Sequence, residues 1–88
     1  MKELVEYITK ALVDKPEEVR IIETAGESVT ILEIQVAKED IGKVIGREGR
    51  IANAIRTIVK AAAAKKQKKV TVEILSSDAP EKVAGGAL

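Results

Sequence analysis

The sequence predicts a single α+β domain, a three-stranded mixed sheet with three helices packed on one face, in the order α-β-β-α-α-β. Three observations carry that reading. The chain has 88 residues, enough for one domain. Its 45% apolar content is almost wholly Ile, Val, Leu and Ala, with Tyr7 the one aromatic, which suits a modest aliphatic core between a helix layer and a sheet. The hydrophobic period switches between helical and alternating spacing through six successive segments.

Each element has its own signal. Residues 2–13 place Leu4, Val5, Ile8, Ala11 and Leu12 on one helical face, with Lys2, Glu6 and Lys10 four apart on the outer one. Asp14-Lys15-Pro16 stops that helix. Residues 19–24 read as a strand, and 25–28 ("AGES") as a turn in which Gly26 is free to take positive φ. Residues 29–36 ("VTILEIQV") alternate, Leu32, Ile34 and Val36 against Glu33 and Gln35. A short helix follows, with Glu39 and Asp40 at its positive end and Ile41, Val44 and Ile45 on its apolar side. A third helix runs from about 50 to 65, with Ile51, Ile55, Ile58, Val59 and Ala62 inward. "KKQKK" (65–69) leads into a last strand over 70–75. The domain is expected to span 1–76, with 77–88 a flexible tail of small and polar residues.

Composition excludes several function classes. There is no cysteine and no histidine, which removes disulfides, thiolate metal sites and the commonest general base. Ser28, Ser76 and Ser77 have no base to activate them, so no enzyme, metal or cofactor is expected. No apolar run is long enough to span a bilayer, and a cytoplasmic protein that avoids membranes is expected. Net charge is only +1, yet it is segregated: residues 1–37 carry −4, residues 38–69 carry +7 and residues 70–88 carry −2. The positive third is where a polyanion would dock.

That third contains "IGKVIGREGRIANAIRTIV" (41–59), with Gly42, Gly46 and Gly49 inside otherwise helical sequence. A helix interior glycine costs about 1 kcal/mol against Ala, so the run calls for a reason. A four-residue turn, Gly46-Arg47-Glu48-Gly49, would end one helix and open the next. The first N–H groups of the later helix then lack intrahelical partners and face outward past two residues without Cβ atoms. Arg47 and Arg50 stand beside them and Lys43 one turn earlier. Gly42 and Ile45 would line a narrow apolar groove floored by Ile51, with Ile34 and Val36 of the second strand as its far wall. Gly42 is open to two explanations, a close helix–sheet contact or the groove itself.

The segment resembles the K-homology (KH) domain signature, Ile-Gly-x-x-Ile-Gly-x-x-Gly, with Gly46-Arg47-Glu48-Gly49 at the GxxG position. The element order is similar to the type II, prokaryotic form of that fold, and the size to the small stand-alone bacterial KH proteins. The resemblance implies single-stranded RNA as partner, the GxxG turn clamping the backbone of about four nucleotides. It carries Gly46, Arg47, Glu48 and Gly49 over as the loop, Gly42, Ile45 and Ile51 as groove positions, and Ile34 and Val36 beside them. It also implies a homodimer, or a heterodimer with a larger KH-containing RNA-binding protein, acting as a small RNA chaperone or post-transcriptional regulator. Glu48 is a negative charge where many such loops are basic, and the groove has no aromatic, whose stacking would contribute about 1–3 kcal/mol per base. Weak, loosely sequence-selective binding by one copy is therefore expected.

Other readings weigh less. Gly42, Gly46 and Gly49 do not make a dinucleotide fingerprint, and Gly49 is followed by Arg50-Ile51 instead of the Lys-Ser/Thr of a P-loop. The alternative from another class is a dimerising scaffold with incidental RNA or single-stranded DNA contact. The glycines ringed by Lys43, Arg47 and Arg50 argue against it, because a scaffold has no use for them.

Overall fold

A computed structural model describes residues 1–77 and the backbone of 82–84. The α-helices are α1 (Lys2–Leu12), α2 (Ile41–Ile45) and α3 (Arg50–Ala64), and the strands β1 (Arg20–Ala25), β2 (Val29–Val36), β3 (Lys69–Ser76) and β4 (Lys82–Ala84). Short 3-10 turns at Pro16–Glu18, Lys38–Asp40 and Arg47–Gly49 join them. The sheet order is β1-β2-β3-β4. β1 pairs antiparallel with β2, Ile21 opposite Ile34, while β2 and β3 run parallel with Leu32 opposite Val72 and Ile34 opposite Ile74. A parallel pair needs a crossover, and residues 37–68, containing α2, the glycine turn and α3, supply it.

Alternation decides which face is covered. Thr30, Leu32, Ile34 and Val36 of β2 and Val70, Val72, Ile74 and Ser76 of β3 are all buried, as strict two-residue spacing requires. Against them lie Val5, Val44, Ala52, Ile55, Val59 and Ala63 from the three helices, in one aliphatic cluster. α1 packs on β1, and α2 and α3 on β3.

Several expectations change. The sheet has a fourth strand: β4, inside the stretch read as a tail, pairs antiparallel with β3 at Ile74–Ala84 and Leu75–Lys82. Three residues carry too little pattern to announce a strand, and the unpaired edge of β3 is what recruits them. The rest of that stretch, 78–81 and 85–88, lies outside the described residues. The inward stripe of α1 is Val5 and Thr9 with Ile8 and Leu12 half-buried, whereas Leu4 and Ala11 face solvent. On α3 the small Ala52 and Ala63 sit inward and Ile58 is 45% exposed: the buried positions Ala52, Ile55, Val59 and Ala63 form one stripe at helical spacing, rotated from the one the isoleucines mark. Gly26 does not take positive φ; a Cβ there would stand 2.9 Å from the Val29 carbonyl oxygen, to which its N–H donates. α3 ends with Gln67 in the left-handed region (φ 57°), the Lys68 N–H reaching the Ala63 carbonyl at 3.1 Å, a Schellman closure made without glycine.

Candidate nucleic-acid interface

Three residues of the turn have positive φ. Gly46 sits at φ 76°, ψ 173° and Gly49 at φ 76°, ψ 13°, and between them Glu48 is left-handed at φ 56°, ψ 26°. At Gly46 nothing but glycine fits: that region is essentially closed to side chains, and a Cβ would meet Ile51 Cγ1 at 2.7 Å and Ile51 N at 2.9 Å. So the glycine lets α2 turn back tightly on α3, and Ile51 is the residue it turns against. The bend is outward-facing. Arg47, Glu48 and Arg50 are exposed, and Gly46 and Gly49 half-buried.

The amide donors are arranged differently from expectation. The Gly49 N–H donates to Gly46 O at 3.1 Å and the Arg50 N–H to Arg47 O, closing the 3-10 turn. The Gly46 N–H donates to Gly42 O at 2.9 Å. Among the described residues the N–H groups of Arg47 and Glu48 have no such partner. The ledge is therefore the turn itself, displaced by one turn from the start of α3, since 3-10 bonding satisfies donors that an abrupt α-helical start would leave open.

The side chains separate into open and committed groups. Lys43 Nζ lies 3.1 Å from Asp14 Oδ2 and 3.5 Å from Asp40 Oδ1; the hydrogen bond and charge of Asp14, then those of Asp40, hold its pKa above the ordinary lysine value. Asp40 is fully buried and does not cap α2. Its two oxygens accept the backbone N–H groups of Asp14 (3.2 Å) and Lys15 (3.0 Å). Burial alone would push the Asp40 pKa up, and those two donors together with Lys43 outweigh it and bring the value down. Asp40 thus pins the segment after α1 to the start of α2, and Lys43 serves that pin. Sequence reasoning missed this network because its partners lie 25 and 26 residues apart. Arg50 Nη2 is 3.8 Å from Glu48 Oε1, and Arg47 forms no ion pair among the described residues.

Of the groove positions, Gly42 is exposed and a Cβ there would meet nothing within 4 Å, so a close helix–sheet contact does not explain it. Ile45 and Ile51 are half-buried against the core. Ile34 and Val36 are 0% exposed: they stand on the helix-facing side of the central strand and offer no wall to a ligand. That corrects the expectation, and it leaves Gly42, Ile45 and Ile51 as the apolar surface beside the turn. Lys60, Lys68 and Lys69 line a separate cavity of about 360 Å³ with Val29, Val70 and Thr71, beside the C-terminal part of α3 and the start of β3.

A GxxG turn between two helices that cross from one strand to its parallel neighbour, with a helix and strand preceding them, defines a class: a type II KH domain. The chain matches the family model for the KH domain of KhpA and KhpB over residues 2–74, and it belongs to that family. Among similar proteins is one of Clostridium perfringens named RNA-binding protein KhpA, 65% identical over 75 residues, which are 85% of this chain and 100% of the relative. A namesake from Caldanaerobacter subterraneus is 59% identical with the same coverage, and one from Borreliella burgdorferi 55% identical over 73 residues, 83% of this chain and 89% of the relative. No solved structure matches the chain at a significant level. No helix of the described residues is long and apolar enough to cross a membrane.

Proposed function

We propose that this protein binds single-stranded RNA, the Gly46–Gly49 turn holding the phosphodiester backbone and Gly42, Ile45 and Ile51 receiving bases, and that it acts as a small RNA chaperone or post-transcriptional regulator in the cytoplasm. The observation that carries the reading is the turn: outward-facing, bare of Cβ at both ends, with the Arg47 and Glu48 amides meeting no backbone acceptor, and Arg47 no ion-pair partner, among the described residues. Membership of a family whose relatives are named for RNA binding supports it. Lys43 contributes through the fold, by way of Asp14 and Asp40, instead of through a phosphate. The protein binds and releases, without covalent chemistry.

The test replaces the turn's cation and leaves its backbone alone. Arg47→Asp combined with Glu48→Asp is expected to keep the helical circular dichroism spectrum and to abolish RNA binding in a gel shift. A folded double variant with unchanged affinity would remove the turn from the site.

A second reading concerns assembly. Ile58 (45% exposed), Leu4 (43%) and Tyr7 (76%) are apolar side chains left on outer helix faces, and they suit a dimer with a second copy or with a larger KH-containing RNA-binding protein. A sizing column run beside the gel shift separates the two readings: an oligomer that shifts no RNA at low salt favours the scaffold.

A further inference from the structure

Glu48 is unexpected on two independent grounds. Its backbone is left-handed, at φ 56° and ψ 26°, a region that Gly or Asn occupies with less strain. Its carboxylate is also the one acidic group of a turn placed to meet a polyanion. The side chain is 76% exposed, so no packing demand keeps it there. Conflicts between local preference and position collect at functional sites. What Glu48 does meet is Arg50, Oε1 to Nη2 at 3.8 Å. Around one short turn, then, Lys43 is locked to Asp14 and Asp40, Arg47 is open, and Arg50 is held by the turn's own acid.

We propose that Glu48 is an internal stand-in for phosphate, occupying Arg50 in the free protein and displaced when a strand docks. The turn then grips its ligand less tightly, and releases it more readily, than its cations alone would dictate. The inference rests on the RNA-binding reading of the turn and adds to it how that turn is regulated. Carboxylate and phosphate present the same pair of acceptor oxygens to a guanidinium, so the two compete for one site. An exposed ion pair is weak, so the exchange is easy in either direction.

The experiment measures anisotropy of a fluorescein-labelled oligouridylate with wild type, Glu48→Gln, Arg50→Gln and the double variant, over a range of salt concentrations. Glu48→Gln keeps the side chain's size and the backbone's options. Removing one unit charge about 6 Å from a phosphate in water changes binding about threefold, so Glu48→Gln is expected to tighten binding by more than that factor at low salt. Its log–log salt slope should stay close to that of wild type, since Arg50 reaches the strand in both proteins, whereas Arg50→Gln should flatten the slope by about 0.7, the value for one phosphate contact on a single strand. The through-space part of that gain does not need Arg50, so in the Arg50→Gln background the effect of Glu48→Gln should shrink to about threefold, and the excess over it is what the exchange contributes. Equal affinity of wild type and Glu48→Gln overturns the proposal, and so does a gain that survives undiminished without Arg50. Arg47→Gln, measured alongside, separates the claims. If it weakens binding while Glu48→Gln changes nothing, the turn is the site and the exchange is wrong. If no substitution moves affinity, the assignment of the turn fails and the exchange falls with it.

Discussion

Gly42→Ala tests whether a strand passes over α2. Gly42 has helical neighbours on both sides, is exposed, and has open space where a Cβ would stand. Its carbonyl accepts the Gly46 N–H at 2.9 Å, a bond that a methyl group on the outer side leaves intact. The substitution should therefore stabilise the fold by about 0.5–1 kcal/mol, chiefly by narrowing the unfolded chain's conformational freedom. For a domain of this length each kcal/mol moves Tm by about 4–8 °C, so a rise of about 2–8 °C is expected in a thermal melt followed by circular dichroism. RNA affinity should move the other way, severalfold weaker, because the methyl occupies the surface on which a base is proposed to lie. Opposite signs in the two measurements are the signature. A lower Tm would refute the claim that this position is open, and a higher Tm with unchanged affinity would move the ligand's path off α2.

Three further outcomes follow from the same geometry. Gly46→Ala should destabilise by about 1–3 kcal/mol or more, since its conformation excludes side chains and its Cβ would strike the Ile51 backbone nitrogen; Gly49→Ala, whose Cβ would meet only Asn53 Nδ2 at 3.9 Å, should cost less, and urea midpoints that reverse the order would contradict the turn as described. Asp40 has a depressed pKa in the folded protein, so its contribution is complete above the unfolded value of 3.8 and is lost as pH falls through the lower folded one; acid unfolding of Asp40→Asn should be less steep over that range, and parallel curves would exclude the pin. Thr9 Oγ1 is buried with no hydrogen-bond partner among the described residues, so Thr9→Val should raise stability by about 1 kcal/mol, read from the same urea midpoints.

Much of this fold was legible because two periods were clean. β2 alternates without a break, and the three residues its sequence marks, Leu32, Ile34 and Val36, are all buried, with Thr30 completing the face. The glycine turn was legible from spacing alone, since glycines four and three residues apart interrupt a helix only where the chain must bend or something must come close. Alternation nevertheless says which residues share a face, not which face meets water, and so Ile34 and Val36 were assigned to a groove although the helices cover them. Thr9 was passed over on α1 because a hydroxyl does not look like core, yet it occupies the innermost position and Leu4 does not. The commitment of Lys43 was not legible at all. Its charge is visible in the sequence, but the carboxylates that hold it come together only when the segment after α1 folds back across the start of α2.

The parallel pairing of β2 with β3 has a consequence for synthesis. The Gly46–Gly49 turn lies within the link between two neighbours of the sheet, and β3, the second of them, is made last among the long strands. A growing polypeptide whose residues 69–76 are still inside the ribosomal tunnel has α2 and α3 but lacks β3, the strand on which both pack, and helices as short as α2 do not persist unsupported in water. The helices that carry the turn are therefore set in place together and late, when β3 joins the sheet beneath them.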